Sequence, residues 1–136
     1  MSGKLNRVLL VDDDSTTNFL HSTIFQGLNQ KIDIVIRENG KEAIDYIKKH
    51  YIDESAPSID CADLILLDLN MPIMDGFEVL KQLQELHQEN LIRTMIVVLS
   101  TSSHPNDISQ AKKLGVSKFI EKPLTGEKVS QLMELM

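Results

Sequence analysis

The chain has 136 residues, the length of one ordinary domain, with 42% hydrophobic and 25% charged residues as in globular proteins. No apolar run is long enough to cross a bilayer, and the formal net charge of −6 disfavours a broad nucleic-acid-binding surface. Cys61 is the only cysteine, so an internal disulfide is excluded. We therefore expect a cytoplasmic domain that binds neither membranes nor nucleic acid.

Five short apolar segments have the length and composition of buried strands. They are rich in Val, Ile and Leu, which is typical of parallel strands covered on both faces. They comprise residues 7–11, 32–37, 64–67, 95–99 and 116–121. Residues 51–62 interrupt this rhythm with Pro57, serines and acids, and are expected to form a polar surface loop.

Apolar residues that recur every three or four positions predict a helix after each strand. Ser15 is the expected N-cap of the first helix, whose inner face would carry Phe19, Leu20, Ile24 and Leu28. The alternation of strands and helices predicts an α/β domain with helices on both faces of a parallel sheet.

Local signals bound the remaining helices. Asn39 and Glu42 resemble a capping box before the second helix. A helix over residues 106–114 should end at Gly115, and Thr125 can cap the last one. The expected inward residues are Ala43, Ile44 and Ile47 in the second helix, Phe77, Leu80, Leu83 and Leu86 in the third, and Val129, Leu132 and Met133 in the last.

Polar residues follow the strands just where a parallel sheet places ligand sites, at the carboxyl ends. Asp12 and Asp13 follow the first strand, Asp68 the third, Ser100 the fourth and Lys122 the fifth. Three converging carboxylates would repel one another, and Mg²⁺ would relieve that repulsion. A carboxylate can also attack phosphorus, while a lysine and a hydroxyl bind the phosphoryl oxygens.

Four segments in this order, LLVDD, LILLDLNMPIMDG, IVVLST and KFIEKP, resemble the receiver domain of two-component response regulators. The resemblance covers nearly the whole chain. It implies a flavodoxin-like three-layer sandwich with strand order 2-1-3-4-5. It also implies a single receiver domain over residues 1–136, with no output domain.

The resemblance assigns roles to individual residues. Asp68 would be the phosphoacceptor. Mg²⁺ would be bound by Asp13 directly, by Asp12 mainly through water, by Asp68 and by the backbone carbonyl of Asn70. Ser100 would be the switch hydroxyl, and Lys122 the cation that contacts the phosphoryl group.

The same resemblance implies how the signal leaves the site. Phe119 stands at the position of the family's rotating aromatic residue, and the Lys122-Pro123 bond is expected to be cis. Thr101 departs from the small residue that usually follows the switch hydroxyl, which bears on the dephosphorylation rate. The third acid of the run, Asp14, leaves the register of the acidic pair open by one residue.

The implied partners are a sensor histidine kinase or phosphotransfer protein and a downstream target that binds the face formed by residues 106–136. Self-association into a homodimer is a further expected mode. The chain would not be an enzyme acting on other substrates, because it would catalyse only its own phosphoryl transfer and autodephosphorylation.

Two other functions are consistent with parts of the sequence. Asp12-x-Asp14-x-Thr16 fits the nucleophile motif of haloacid-dehalogenase-type phosphatases, but that function leaves the segment after Asp68 unexplained. The second alternative function is a receiver fold that binds partners without accepting a phosphoryl group. The histidines lack ligand-like spacing and are expected at the surface; they are His21, His50, His87 and His104.

Overall fold

The computed structural model describes residues 5–28, 31–49, 62–69, 71, 74–86, 94–101 and 104–134. The strands are β1 Arg7–Val11, β2 Asp33–Arg37, β3 Leu64–Asp68, β4 Met95–Ser100 and β5 Lys118–Glu121. The helices are α1 Ser15–Leu28, α2 Gly40–Ile47, α3 Gly76–Leu86, α4 Pro105–Lys113 and α5 Gly126–Glu134. The predicted strands agree with these bounds to within two residues. The predicted 51–62 loop lies outside the described residues except for Ala62, which is buried.

The five strands form one parallel sheet in the order β2-β1-β3-β4-β5. This confirms the predicted topology. In the register, Leu9 pairs with both Val35 and Ile65, and Asp68 pairs with Leu99. The carboxyl ends of β1, β3, β4 and β5 therefore meet along one edge.

Two hydrophobic clusters cover the two faces of the sheet, because successive strand side chains point to opposite faces. Leu9 and Val11 belong to the cluster beneath α2 and α3, whereas Val8 and Leu10 belong to the cluster beneath α1 and α5. All four are at most 1% exposed. Burial of such side chains contributes about 1.5–3 kcal/mol each. None of the helices in the described ranges is long and apolar enough to cross a membrane.

The helix α2 follows its sequence pattern closely. Ala43, Ile44 and Ile47 are buried as predicted. At its start, the side chain of Asn39 accepts a hydrogen bond from the backbone N–H of Glu42 at 2.9 Å and donates one to the Glu42 carboxylate at 2.7 Å. The amphipathic pattern and the cap therefore agree on where this helix begins and which face it buries.

The inner residues predicted for α1 are largely wrong. Phe19 is 69% exposed and Leu20 55%, whereas Asn18 and His21 are buried together with Phe25. Buried His21 also corrects the prediction that every histidine lies at the surface. His104 is exposed as expected, and His50 and His87 lie outside the described residues.

Hydrogen bonds at the start of α1 explain why Asn18 and His21, rather than the predicted apolar residues, face the sheet. Asp14, rather than Ser15, caps the helix: its carboxylate accepts from the Thr16 N–H at 3.0 Å and the Thr17 hydroxyl at 2.9 Å. The side-chain amide of Asn18 donates to the carbonyl of Asp12 at 2.9 Å, which turns Asn18 inward. His21 and Phe25, three and seven residues after Asn18, therefore face the sheet in place of Phe19 and Leu20.

Candidate functional site

The predicted site residues converge at one edge of the sheet, here called the carboxyl rim: Asp12, Asp13, Asp68, Ser100 and Lys122. Asp68 and Ser100 are the last residues of β3 and β4, and Lys122 follows β5 directly. Parallel strands place their carboxyl ends at the same edge of the sheet, so these positions meet although they are far apart in the chain. Asn70, the remaining predicted metal ligand, lies outside the described residues.

Three carboxylates form the centre of the rim. One oxygen from each of Asp12, Asp13 and Asp68 lies within 4.8 Å of the others. Asp12 is 3% exposed and Asp68 5%, while Asp13 is open to solvent. Clustered oxygen donors with one open side fit a hard divalent cation such as Mg²⁺, which retains water ligands when it binds proteins.

Lys122 supplies the positive charge of the rim. Its ammonium lies 3.2 Å from a carboxylate oxygen of Asp12 and 3.5 Å from one of Asp68. Among the described residues of the rim, three carboxylates and one ammonium carry a formal net charge of −2, which favours binding of a cation. The Lys122 backbone N–H donates to the carbonyl of Ser100 at 2.7 Å, which ties β5 to β4 beside the acids. The Lys122-Pro123 bond is cis, as predicted.

Backbone contacts hold Asp12 in place and separate it from Asp14. The second carboxylate oxygen of Asp12 accepts from the backbone N–H of Asp14 at 2.9 Å, and its own N–H donates to the Arg37 carbonyl at 3.2 Å. Asp14 is exposed, and its hydrogen bonds to Thr17 and Thr16 lower its pKa below the ordinary value. Asp12 and Asp13 therefore lie in the carboxylate cluster with Asp68, whereas Asp14 caps α1.

Close backbone packing supports Asp68 from behind, and it depends on Gly76. A β-carbon on Gly76 would lie 2.8 Å from the carbonyl oxygen of Asp68 and 2.7 Å from the Cα of Leu69. The Gly76 N–H donates to the Leu69 carbonyl at 3.0 Å. The sequence marks Gly76 only as a loop residue, because a requirement for close approach between segments has no local signature.

The predicted switch residues lie on the neighbouring strands β4 and β5, with Ser100 at the end of β4 and Phe119 two residues before the end of β5. Ser100 is buried, Phe119 is half-buried beside Val98 in the sheet register, and Thr101 is exposed. Phe119 packs against the cluster beneath α2 and α3. Its assigned rotation stays a prediction.

Two polar residues behind Asp12 were missed by the sequence reasoning. The Asn18 side-chain oxygen is buried and has no hydrogen-bond partner among the described residues. Burial lowers the pKa of His21, the Asp12 charge opposes that shift, and the Lys122 charge adds to it. The sequence offers only one signal for Asn18 and His21: they are polar, and they lie three positions apart in the helix that follows the acidic run.

Comparisons with known proteins agree with this geometry. The sequence profile described as "Response regulator receiver domain" matches residues 8–134. Two-component response regulator 24 of Arabidopsis thaliana is 31% identical over 132 residues, which cover 94% of this chain and 79% of that protein. The crystal structure of a two component response regulator from Cytophaga hutchinsonii superposes with a TM-score of 0.84 at 28% identity, covering 97% of this chain and 96% of that one.

The relatives differ greatly in length. Hybrid signal transduction histidine kinase B of Dictyostelium discoideum is 32% identical over 134 residues, which cover 90% of this chain but only 6% of that protein. The family profile spans residues 8–134, which include the carboxyl rim, so the similarity concerns this domain.

Proposed function

The chain belongs to the response regulator receiver family, and on this basis we propose that Asp68 accepts a phosphoryl group from a phosphohistidine of a sensor kinase or phosphotransfer protein. The observation that carries the proposal is the buried Asp68 carboxylate, which shares the Lys122 ammonium with Asp12 and lies within one oxygen cluster with Asp13. A nucleophile, a cation and an acidic pair are thus assembled at one point.

The proposed transfer follows from the arrangement of these groups. A carboxylate oxygen of Asp68 attacks phosphorus while the bond from phosphorus to the donor imidazole nitrogen breaks and the electron pair stays on the imidazole. The Lys122 ammonium neutralises charge on a phosphoryl oxygen, and the Ser100 hydroxyl donates to another. Asp12, Asp13 and Asp68 would hold Mg²⁺, with the carbonyl of Asn70, and the ion would add positive charge near the phosphoryl oxygens. The chain itself would catalyse hydrolysis of the acyl phosphate, and Thr101 would lie at the entrance to the site.

A phosphatase with Asp12 as nucleophile and Asp14 as acid–base fits the geometry poorly. The carboxylate of Asp14 caps α1 through Thr16 and Thr17. One oxygen of Asp12 is occupied by the backbone N–H of Asp14. These contacts favour Asp68 as the acceptor.

Labelling with radioactive acetyl phosphate in Mg²⁺ tests the assignment. We expect an acyl phosphate on Asp68, lost in Asp68→Asn and kept in Asp14→Asn. Mapping of the label to Asp12 would support the phosphatase-type mechanism instead. Absence of label from the folded parent protein would favour a domain that works by binding alone.

Two large apolar side chains on α1 favour a protein as the phosphoryl donor. Phe19 and Leu20 are more than half exposed on the helix that begins beside Asp13. Phe19 and Leu20 are consecutive residues, and contiguous exposed apolar surface is typical of interaction sites. Leu20→Glu should slow transfer from a phosphorylated donor protein while leaving labelling by acetyl phosphate unchanged; equal slowing of both would contradict donor docking here.

The output of the switch is proposed for the face formed by residues 106–136. Ser100 would move toward the phosphoryl group to gain a charge-assisted hydrogen bond, and Phe119 would turn into the vacated space. A target protein or a second copy of the chain would then bind this face in the cytoplasm. Beryllofluoride, a phosphoryl mimic, should shift NMR signals across described residues 106–134; shifts confined to the loops around Asp12, Asp68 and Ser100 would contradict this output.

A further inference from the structure

Lys128, in the first turn of α5, contacts the backbone on both sides of Lys122. Its ammonium donates to the carbonyl of Glu121 at 2.8 Å and to the carbonyl of Pro123 at 2.8 Å. The described part of the chain gives this ammonium two carbonyl acceptors and no carboxylate. Hydrogen bonds from a charged donor are shorter and stronger than neutral ones. Lys128 therefore clamps the segment that carries Lys122.

The position of Lys128 is unfavourable for a lysine by local rules. The N-terminus of a helix carries partial positive charge and favours acids. Thr125 caps α5, and its hydroxyl accepts from the Lys128 N–H at 3.2 Å, so Lys128 is the residue where a capping box would carry Glu or Gln. Its contacts with the loop carbonyls compensate for this placement and give the residue a role outside its own helix.

The Lys122 side chain depends on its backbone for accurate placement. A lysine has a long flexible stem and a charge without directional preference. Besides its carboxylate partners, Lys122 has a backbone N–H bonded to the carbonyl of Ser100 at 2.7 Å. With the two flanking carbonyls bound by Lys128, three hydrogen bonds fix the segment from which the Lys122 ammonium reaches Asp12 and Asp68.

We propose that Lys128 is a positioning residue for phosphoryl transfer: it holds the segment around Lys122 so that the Lys122 ammonium stays at Asp68. This inference rests on the proposed function of Asp68. Loss of the clamp should affect the transfer step rather than Mg²⁺ binding, because Lys128 contacts neither Asp12, Asp13 nor Asp68 in the described structure. A displacement of the reacting groups by 1 Å can cost about 100-fold in rate, so a slowing between about 3-fold and about 100-fold is expected.

The test uses Lys128→Met, which keeps most of the aliphatic stem and removes the donors, and Lys128→Arg, which restores a cationic donor. Lys81→Met is the matched control, since Lys81 is an exposed lysine on α3, outside the 106–136 face, and the change in net charge is the same. Three quantities are measured for each: the amide hydrogen exchange rate of Lys122, the Mg²⁺ dissociation constant, and the rate of labelling by acetyl phosphate in saturating Mg²⁺. The labelling is repeated in a Lys122→Met background.

We expect Lys128→Met to speed amide hydrogen exchange at Lys122 and to slow labelling, with an unchanged Mg²⁺ dissociation constant. Lys128→Arg should largely restore the exchange rate and the labelling rate of the parent, and Lys81→Met should resemble the parent. In the Lys122→Met background, Lys128→Met should have no further effect, because its action passes through Lys122. Unchanged exchange at Lys122, or equal slowing in both backgrounds, would overturn the inference while Asp68 labelling of the parent stands. An unlabelled parent would overturn the proposed function itself, and with it a role for Lys128 in transfer.

Discussion

Aspartates at the two ends of the same sheet have opposite surroundings. At the amino end, one carboxylate oxygen of Asp63 accepts the backbone N–H groups of Asn6 and Arg7 at 2.8 and 3.1 Å, and Asp33 pairs with the Arg7 guanidinium at 2.8 Å. We call Asp63, Asp33 and Arg7 the amino rim. At the carboxyl rim, three carboxylates cluster, and the Lys122 ammonium contacts two of them, Asp12 and Asp68. Acids at the amino rim therefore join segments, whereas acids at the carboxyl rim accumulate charge for a ligand.

The comparison shows that the role of an acid is set by its partners. Hydrogen bonds from backbone N–H groups stabilise a carboxylate and the segments that provide them. Unbalanced negative charge destabilises the apo protein and is relieved by a bound cation.

Asp63→Ala should have the largest effect on stability. It removes the acceptor for two backbone N–H groups, one of them partly buried, which should lower the free energy of unfolding by about 1–3 kcal/mol. Urea denaturation measures this loss. Asp33→Ala is the control, because its ion pair is more than half exposed on the Asp33 side and should contribute less than about 1 kcal/mol. Slower labelling of folded Asp63→Ala by acetyl phosphate would contradict a purely structural role for Asp63.

Mg²⁺ should stabilise the protein through the carboxyl rim alone. At ten times the dissociation constant, binding to the folded state adds about 1.4 kcal/mol. Thermal unfolding with and without Mg²⁺ measures the increment, which Asp13→Ala should remove and Asp63→Ala should retain. No change in the parent's melting curve in millimolar Mg²⁺ would contradict the metal site.

Neutralisation of one acid at each rim should change the melting temperature in opposite directions. In metal-free buffer, Asp13→Asn should raise the Tm because it relieves repulsion with Asp12 and Asp68. Asp63→Asn should lower it because a charged acceptor is lost. The gain in Asp13→Asn should shrink at about 1 M salt, where the Debye length is about 3 Å. A lower Tm for Asp13→Asn would show that this acid also stabilises the fold.

The smallest expected effect is a pH dependence from His21, behind the carboxyl rim. Burial holds its folded pKa below the unfolded value of 6.5, so the native state binds fewer protons than the unfolded state. Its contribution to stability is present above pH 6.5 and is lost as the pH falls through that value toward the folded pKa. His21→Gln should therefore reduce the fall in Tm between about pH 7.5 and about pH 5.5. An unchanged decrease in Tm would show that groups other than His21 cause it.

The helices show where periodicity suffices for prediction. In α2 the apolar spacing correctly identified Ala43, Ile44 and Ile47 as buried. In α1 the same reasoning was wrong, since the hydrogen bond from Asn18 to the Asp12 carbonyl turns a polar face inward and leaves Phe19 and Leu20 exposed. A pattern of apolar residues predicts packing against a core, but it does not reveal which face of a helix meets a polar site or a partner.

The sequence by itself determined the strands, their parallel order through the family resemblance, and the positions of Asp12, Asp68, Ser100 and Lys122 at strand ends. These follow from local composition and from the rule that parallel strands present their carboxyl ends together. Only the tertiary structure decided that Asp14 caps a helix, that Gly76 packs against the Asp68 backbone, and that Lys128 binds the carbonyls around Lys122. The physical reason is that a hydrogen bond or close contact depends on the direction of two groups in space, which spacing along the chain leaves undetermined.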